Sequence, residues 1–172
     1  MKFLIASLLL TVSALAQVQK DKTVEVTFYY PRNVRPSAAN VVTLNMSNRQ
    51  NNFPMYLYAG DKSNVLMTLR PETFVTIRMK PGTYQFGSWK RAIHIDPTPI
   101  TIGSEGPYFL RMTVPQGWRP DGRDGFHLVN CEQAAHEAEH MAPLAATQIK
   151  VPMSQVIDHG AYLHLECPDN HR

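Results

Sequence analysis

The 172-residue chain predicts a mainly β protein, a sandwich of about eight short strands with one C-terminal α-helix. Three observations carry that expectation. Apolar and polar residues alternate with period two in one short run after another, the pattern of half-buried strands. Thirteen prolines are spread along the chain, which suits many short strands and turns better than long helices. A helical spacing of apolar residues, flanked by a helix-start residue, appears convincingly in one place only, beyond residue 129.

The first sixteen residues read as a targeting segment. Lys2 is a minimal basic region, Phe3 to Val12 is an apolar core, and Ala14-Leu15-Ala16 is a small-x-small cleavage site. The mature chain is therefore expected to begin at Gln17, with residues 17–22 a disordered start, and no cysteine follows the apolar run to accept a lipid. Export to the periplasm or beyond, without a lipid anchor, is the expectation, and no later run is long and apolar enough to cross a membrane as a helix. Removing Lys2 lowers the formal charge from +3 to +2, no footprint for nucleic acid. The remaining residues, roughly 156, suit one domain able to bury a real core. A β-sandwich is expected over 23–115, with a loop, a helix and a tail packed on it over 116–172.

From Thr23 the strands follow quickly. Val24, Val26, Phe28 and Tyr30 share one face of the first, ended by Pro31, and a polar loop follows. Val41–Met46 and Met55–Ala59 are the next two, and Gly60-Asp61-Lys62-Ser63-Asn64 turns into Val65–Leu69. Val75, Ile77 and Met79 then alternate with Thr76, Arg78 and Lys80; Tyr84 and Phe86 resume the alternation past Pro81-Gly82. That dipeptide offers a preset φ and then a residue free to take φ > 0, so a type II hairpin turn is expected there. Ile93/Ile95 and Ile100/Ile102 mark two short strands interrupted by Pro97 and Pro99, suggesting a sheet edge. Tyr108, Leu110, Met112 and Val114 form the last clear alternation.

The run Val75–Met79, then Pro81-Gly82-Thr83-Tyr84, then Gly106-Pro107-Tyr108-Phe109-Leu110-Arg111-Met112, resembles a family of uncharacterised bacterial secreted proteins and lipoproteins. The resemblance covers about Thr23 to Leu144. It implies a small β-sandwich like the immunoglobulin-like and carboxypeptidase-regulatory-like modules, and a place in the bacterial envelope. The family carries no established activity or catalytic residues, so the resemblance implies none here.

Gln116 to Gly125 reads as a loop. Its Asp121-Gly122-Arg123-Asp124-Gly125 is a poor calcium loop, because Arg123 stands where an oxygen ligand belongs. Asn130 to Ala142 reads as the helix, with Asn130 as N-cap, Gln133 completing a capping box, and Pro143 ending it. Inside it, His136-Glu137-Ala138-Glu139-His140 matches H-E-x-x-H, which in zinc hydrolases sets two imidazoles one turn apart and a glutamate on the bound water. The helical wheel argues against that use. Cys131, Ala135, Ala138 and Ala142 form a narrow apolar stripe, and His136 and His140 lie nearly opposite, facing water if the stripe faces the sandwich. A third zinc ligand is wanting too, with Glu166 the one downstream glutamate able to serve. The two readings are thus a non-catalytic module without cofactor and, second to it, a small zinc hydrolase with His136, His140 and Glu166 as ligands and Glu137 as base.

In the tail, Ala161–Cys167 reads as a final strand, with Tyr162, His164 and Glu166 on one face and Leu163 and Leu165 on the other. Cys131 and Cys167 are the two cysteines of a chain expected to be exported, so a disulfide between them is the default. Tyr56 and Tyr58 share a strand face, and Trp89 and Trp118 sit near Lys90, Arg91 and Arg119; such a surface suits a glycan or an envelope protein. The chain has no phosphate-cradling glycine loop and no G-x-S-x-G elbow.

Overall fold

The computed structural model describes residues 22–31, 54–60, 62–90, 93–113 and 125–163, together with Leu165 and Cys167. The expected signal peptide, the strand at 41–46, the calcium-like loop at 121–124 and the position of Glu166 lie outside the described residues.

Among the described residues ten strands form two sheets, with one helix between the eighth and ninth strands. In chain order they are β1 (Val24–Tyr30), β2 (Met55–Ala59), β3 (Val65–Leu69), β4 (Thr73–Met79), β5 (Gly82–Lys90), β6 (Ile93–Ile102), β7 (Tyr108–Thr113) and β8 (Gly125–Val129). The helix α1 (Cys131–Ala138) and the two-residue strands β9 (Ala142–Pro143) and β10 (Val156–Ile157) complete the set. The six-stranded sheet runs β10-β4-β1-β7-β8, with β9 also on β4; the four-stranded sheet runs β3-β2-β5-β6. β1 lies antiparallel to β4 and parallel to β7.

The fold class is the predicted one, a mainly β sandwich with a single helix, and the alternation built it. Val26, Phe28 and Tyr30 of β1, Val75 and Ile77 of β4, and Leu110 and Met112 of β7 all enter one core. There they meet Met55, Leu57, Met67, Leu69 and Phe86 from the other sheet. Phe28 anchors it, edge-on to Phe86 at 5.2 Å and to Phe126 at 6.0 Å between ring centroids.

A second apolar layer lies on the opposite face of the six-stranded sheet. Tyr29, Phe74 and Phe109, from the strand phases that a half-buried sheet would give to water, pack with Ala134, Ala138, Met141 and Leu163. This face, too, is covered over part of its area, while Glu25 and Arg78 on it are exposed. Thr27 and Thr76 are buried on it, opposite each other in the β1–β4 ladder, their hydroxyls 2.8 Å apart.

Several expectations are corrected. Pro81-Gly82 does not close a hairpin: β4 and β5 belong to different sheets, so the dipeptide turns the corner between them. Gly82 is not among the residues with positive φ. The proline turn with positive φ is instead Pro71-Glu72, where Glu72 has φ 59°, its N–H donates to Tyr30 O at 2.7 Å, and its carbonyl accepts from Ala142 N at 3.0 Å. Ile93–Ile102 is one ten-residue strand rather than two. It is an edge strand, as anticipated, and its register with β5 shifts between Phe86 and Ser88, the bulge that accommodates Pro97. β8 forms between the expected loop at 116–125 and the expected helix, where no strand was anticipated, pairing with β7 from Phe109↔Val129 to Thr113↔Gly125.

The helix is shorter than 130–142. Asn130 caps it, accepting from Gln133 N at 2.8 Å, but it ends at Ala138. A local turn bond, Met141 N to Ala138 O at 3.0 Å, closes its end, and competing tertiary bonds take the chain away: Ala142 N donates to Glu72 O at 3.0 Å and Leu144 N to Phe74 O at 2.8 Å. The buried stripe is Ala134, Ala138 and Met141, with Cys131 half-buried at its start, whereas Ala142 is exposed. The predicted final strand, Ala161–Cys167, has no strand pairing among the described residues; Leu163 is nonetheless buried and Tyr162 exposed, as the alternation required.

Candidate functional site

Two groups of residues singled out by the sequence fall on different faces. The first is aromatic. Tyr56 on β2 stands opposite Trp89 on β5, and their rings lie 4.7 Å apart with an interplanar angle of 31°. The neighbours Met55 and Leu57 point into the core, so this pair is on the outer face of the four-stranded sheet. Tyr56 keeps 38% of its surface exposed, while Trp89 is half-buried with its indole Nε1 sealed from solvent and without a partner. A flat, fixed aromatic surface of this kind offers one apolar plane and little entropy to lose on binding.

Tyr58 does not extend that surface. It shares the strand phase of Tyr56 but is buried, because its ring lies over Gly87, its cross-strand neighbour, where any Cβ would collide with it. Trp118, Arg91 and Arg119 lie outside the described residues.

The second group surrounds the H-E-x-x-H motif. His136 is exposed on the last turn of α1, and His140 is exposed beyond the C-cap Glu139. Both imidazoles therefore face water, as the helical wheel required. Glu137 turns the other way, toward the six-stranded sheet. One carboxylate oxygen accepts from Tyr29 Oη at 2.9 Å and from Arg111 Nε at 2.7 Å; the other accepts from the Gln133 amide at 3.1 Å. Arg111 Nη1 donates in turn to Thr113 Oγ1 at 2.8 Å. Burial, and then the neighbouring carboxylate, push the Tyr29 hydroxyl well above the usual phenol range, so it stays a donor.

This arrangement suits anchoring rather than proton transfer. A metalloprotease base needs a carboxylate aimed at a metal-bound water; the Glu137 carboxylate is committed to donors on the sheet. Glu166 lies outside the described residues, and among the described residues no group of three or more His, Cys, Asp or Glu side chains could hold a metal ion. The cluster escaped the sequence reading because a capping box assigns Gln133 to the helix start, whereas its amide is spent on Glu137. Arg111, a charge amid the apolar run of β7, was the available signal.

The cysteine pairing is the expected one. Cys131 and Cys167 form a disulfide with 5.6 Å between Cα atoms, tying the first residue of the helix to the tail. No helix among the described residues is long and apolar enough to cross a membrane. Comparison of the chain with family models, with curated proteins and with solved structures returned no match.

Proposed function

We propose that this chain is an exported, non-catalytic module of a bacterial envelope that binds a glycan or an envelope protein through the outer face of its four-stranded sheet. The observation that carries this reading is the Tyr56–Trp89 pair, packed ring against ring by the β2–β5 register and exposed at Tyr56. The other outer face is partly covered by α1 and the tail, which pack on Tyr29, Phe74 and Phe109. Export is supported by the Met1–Ala16 targeting pattern and by the Cys131–Cys167 disulfide, a bond typical of oxidising compartments. The resemblance to secreted envelope domains agrees with it.

The test is co-sedimentation of the mature protein with purified insoluble cell-wall glycan, wild type beside Tyr56→Ala. A loss of roughly tenfold in retention is expected for the variant, the scale of one aromatic stacking contact. Equal retention of the two proteins, or none of either together with no crosslinked envelope protein, overturns the reading. Metal analysis addresses the catalytic alternative: one tightly held zinc per chain, lost in His136→Ala, would replace a binding module with a hydrolase.

A further inference from the structure

After α1 the chain runs back along β4, pairing with it twice, as β9 at Thr73–Phe74 and as β10 at Ile77–Thr76. Just before β10 it turns as a short 3-10 helix, Met153–Gln155, so its pairing with β4 stops at Ile77. Among the described residues, the end of β4 therefore has β1 on one side and no strand on the other. A groove of about 450 Å³ opens there, lined from both sheets. Its apolar wall is Ala59, Leu66, Met79, Tyr84 and Val151, all half-buried and packed on the sandwich core. Tyr84 is fixed in place, its ring stacked on Phe86 at 5.6 Å and its hydroxyl donating to Lys80 O at 2.7 Å.

The charged part of the lining has one sign. Arg78 and Lys80 are exposed on it, and among the described residues no carboxylate lines the groove. Glu25 stands in register with Arg78 on β1, yet no ion pair joins the two. Among the described residues neither cationic side chain has a hydrogen-bond or ion-pair partner. Two cations two positions apart repel each other, and an anion between them replaces that repulsion with attraction. The apolar wall beside them gains when hydrocarbon covers it. A guest with an anionic head and an alkyl chain meets both conditions at once.

We propose that this groove binds a monomeric, single-chain anionic amphiphile of the fatty-acid class, its carboxylate on Arg78 and Lys80 and its chain along Leu66, Met79, Tyr84 and Val151. A neutral or cationic head makes no use of the two unpaired cations. A small anion without a chain leaves the apolar wall in water. The groove lies at the Ala59 end of β2 and the Tyr84 end of β5, whereas Tyr56 and Trp89 lie toward the opposite ends, so either assignment can fail without the other.

The test is calorimetric and NMR titration of the mature protein with decanoate and octanoate below micelle formation, beside 1-octanol and acetate. Saturable binding of both carboxylates is expected, with affinity rising roughly fourfold per added methylene. 1-Octanol is expected to bind at least threefold more weakly than octanoate, and acetate not detectably. The double variant Arg78→Gln/Lys80→Gln is expected to weaken decanoate at least tenfold and to leave 1-octanol unchanged. Ser154→Trp, at an exposed residue of the groove, is expected to abolish decanoate binding with the thermal midpoint little changed. Absence of saturable decanoate binding at millimolar concentration overturns the proposal, as does decanoate binding that survives Ser154→Trp. Octanol binding equal to octanoate, or full decanoate affinity in the double variant, overturns the assigned head group. Sedimentation with phosphatidylglycerol vesicles by a protein that ignores monomeric decanoate overturns it in favour of a membrane surface.

Discussion

The Thr27 and Thr76 hydroxyls satisfy each other at 2.8 Å in a buried setting, between two paired strands. Removing one partner strands the other, so Thr27→Val is expected to cost about 1–3 kcal/mol, as is Thr76→Val. The double variant removes both polar groups and fills the site with methyls. Its cost is expected to fall below the sum of the two single costs, and urea unfolding of the four proteins measures the coupling. Strict additivity would mean that the hydroxyls act independently. The sequence alternation correctly sent Val75 and Ile77 to the sandwich core, yet it put Thr76 in water. A period of two says that neighbouring residues face opposite ways; it does not say whether the second face is covered. The available signal was chemical: Tyr29, Phe74 and Phe109 each place a large ring in the nominally polar phase, on three different strands of one sheet. Glu137 shows the same limit from the other side, since its partners Tyr29 and Arg111 lie 108 and 26 residues away in the chain.

Helix α1 was legible at its start and not at its end, because different interactions set the two. Asn130 caps through its own side chain, a contact three residues long that the sequence displays. The end is fixed by Ala142 and Leu144 donating to Glu72 and Phe74, a choice made by the tertiary fold. Asn130→Ala is therefore expected to lose about 1 kcal/mol in urea unfolding, whereas Gln133→Ala, which gives up an exposed bond to Glu137, is expected to lose only a few tenths. A reciprocal capping box would instead make the two losses comparable. The corner after β4 shows a related ambiguity. Pro-Gly encodes a reversal of direction, and it serves equally well within a sheet or between two sheets; the sequence cannot choose, because the choice lies in which strands neighbour β4. Here β1 takes one edge of β4 and the short strands β9 and β10 take the other, so β5 is left to the second sheet.

Tyr56 and Trp89 were each named from sequence, though not as a pair, and were brought together by the β2–β5 register. The tail beyond β10 depends on the disulfide more than its length suggests. Beyond β10 the described residues of the tail have no strand pairing, and Leu163 and Leu165 attach to the second apolar layer by side chains alone. Cys131 and Cys167, 36 positions apart, convert that loose attachment into a closed loop. By the chain-entropy argument the closure stabilises the fold by about 4 kcal/mol, acting on the unfolded chain. Replacing both cysteines with serine is thus expected to lower the stability by about that amount while the near-ultraviolet circular dichroism of the folded protein stays close to wild type. Unfolding by urea, read by fluorescence and by dichroism, gives both numbers. A loss below about 1 kcal/mol would show that the unfolded chain already holds the tail near the helix. A native spectrum altered at the tyrosines would place the effect in the folded state, with the tail at Leu163 detaching from Tyr29 and Phe74 before the sandwich opens.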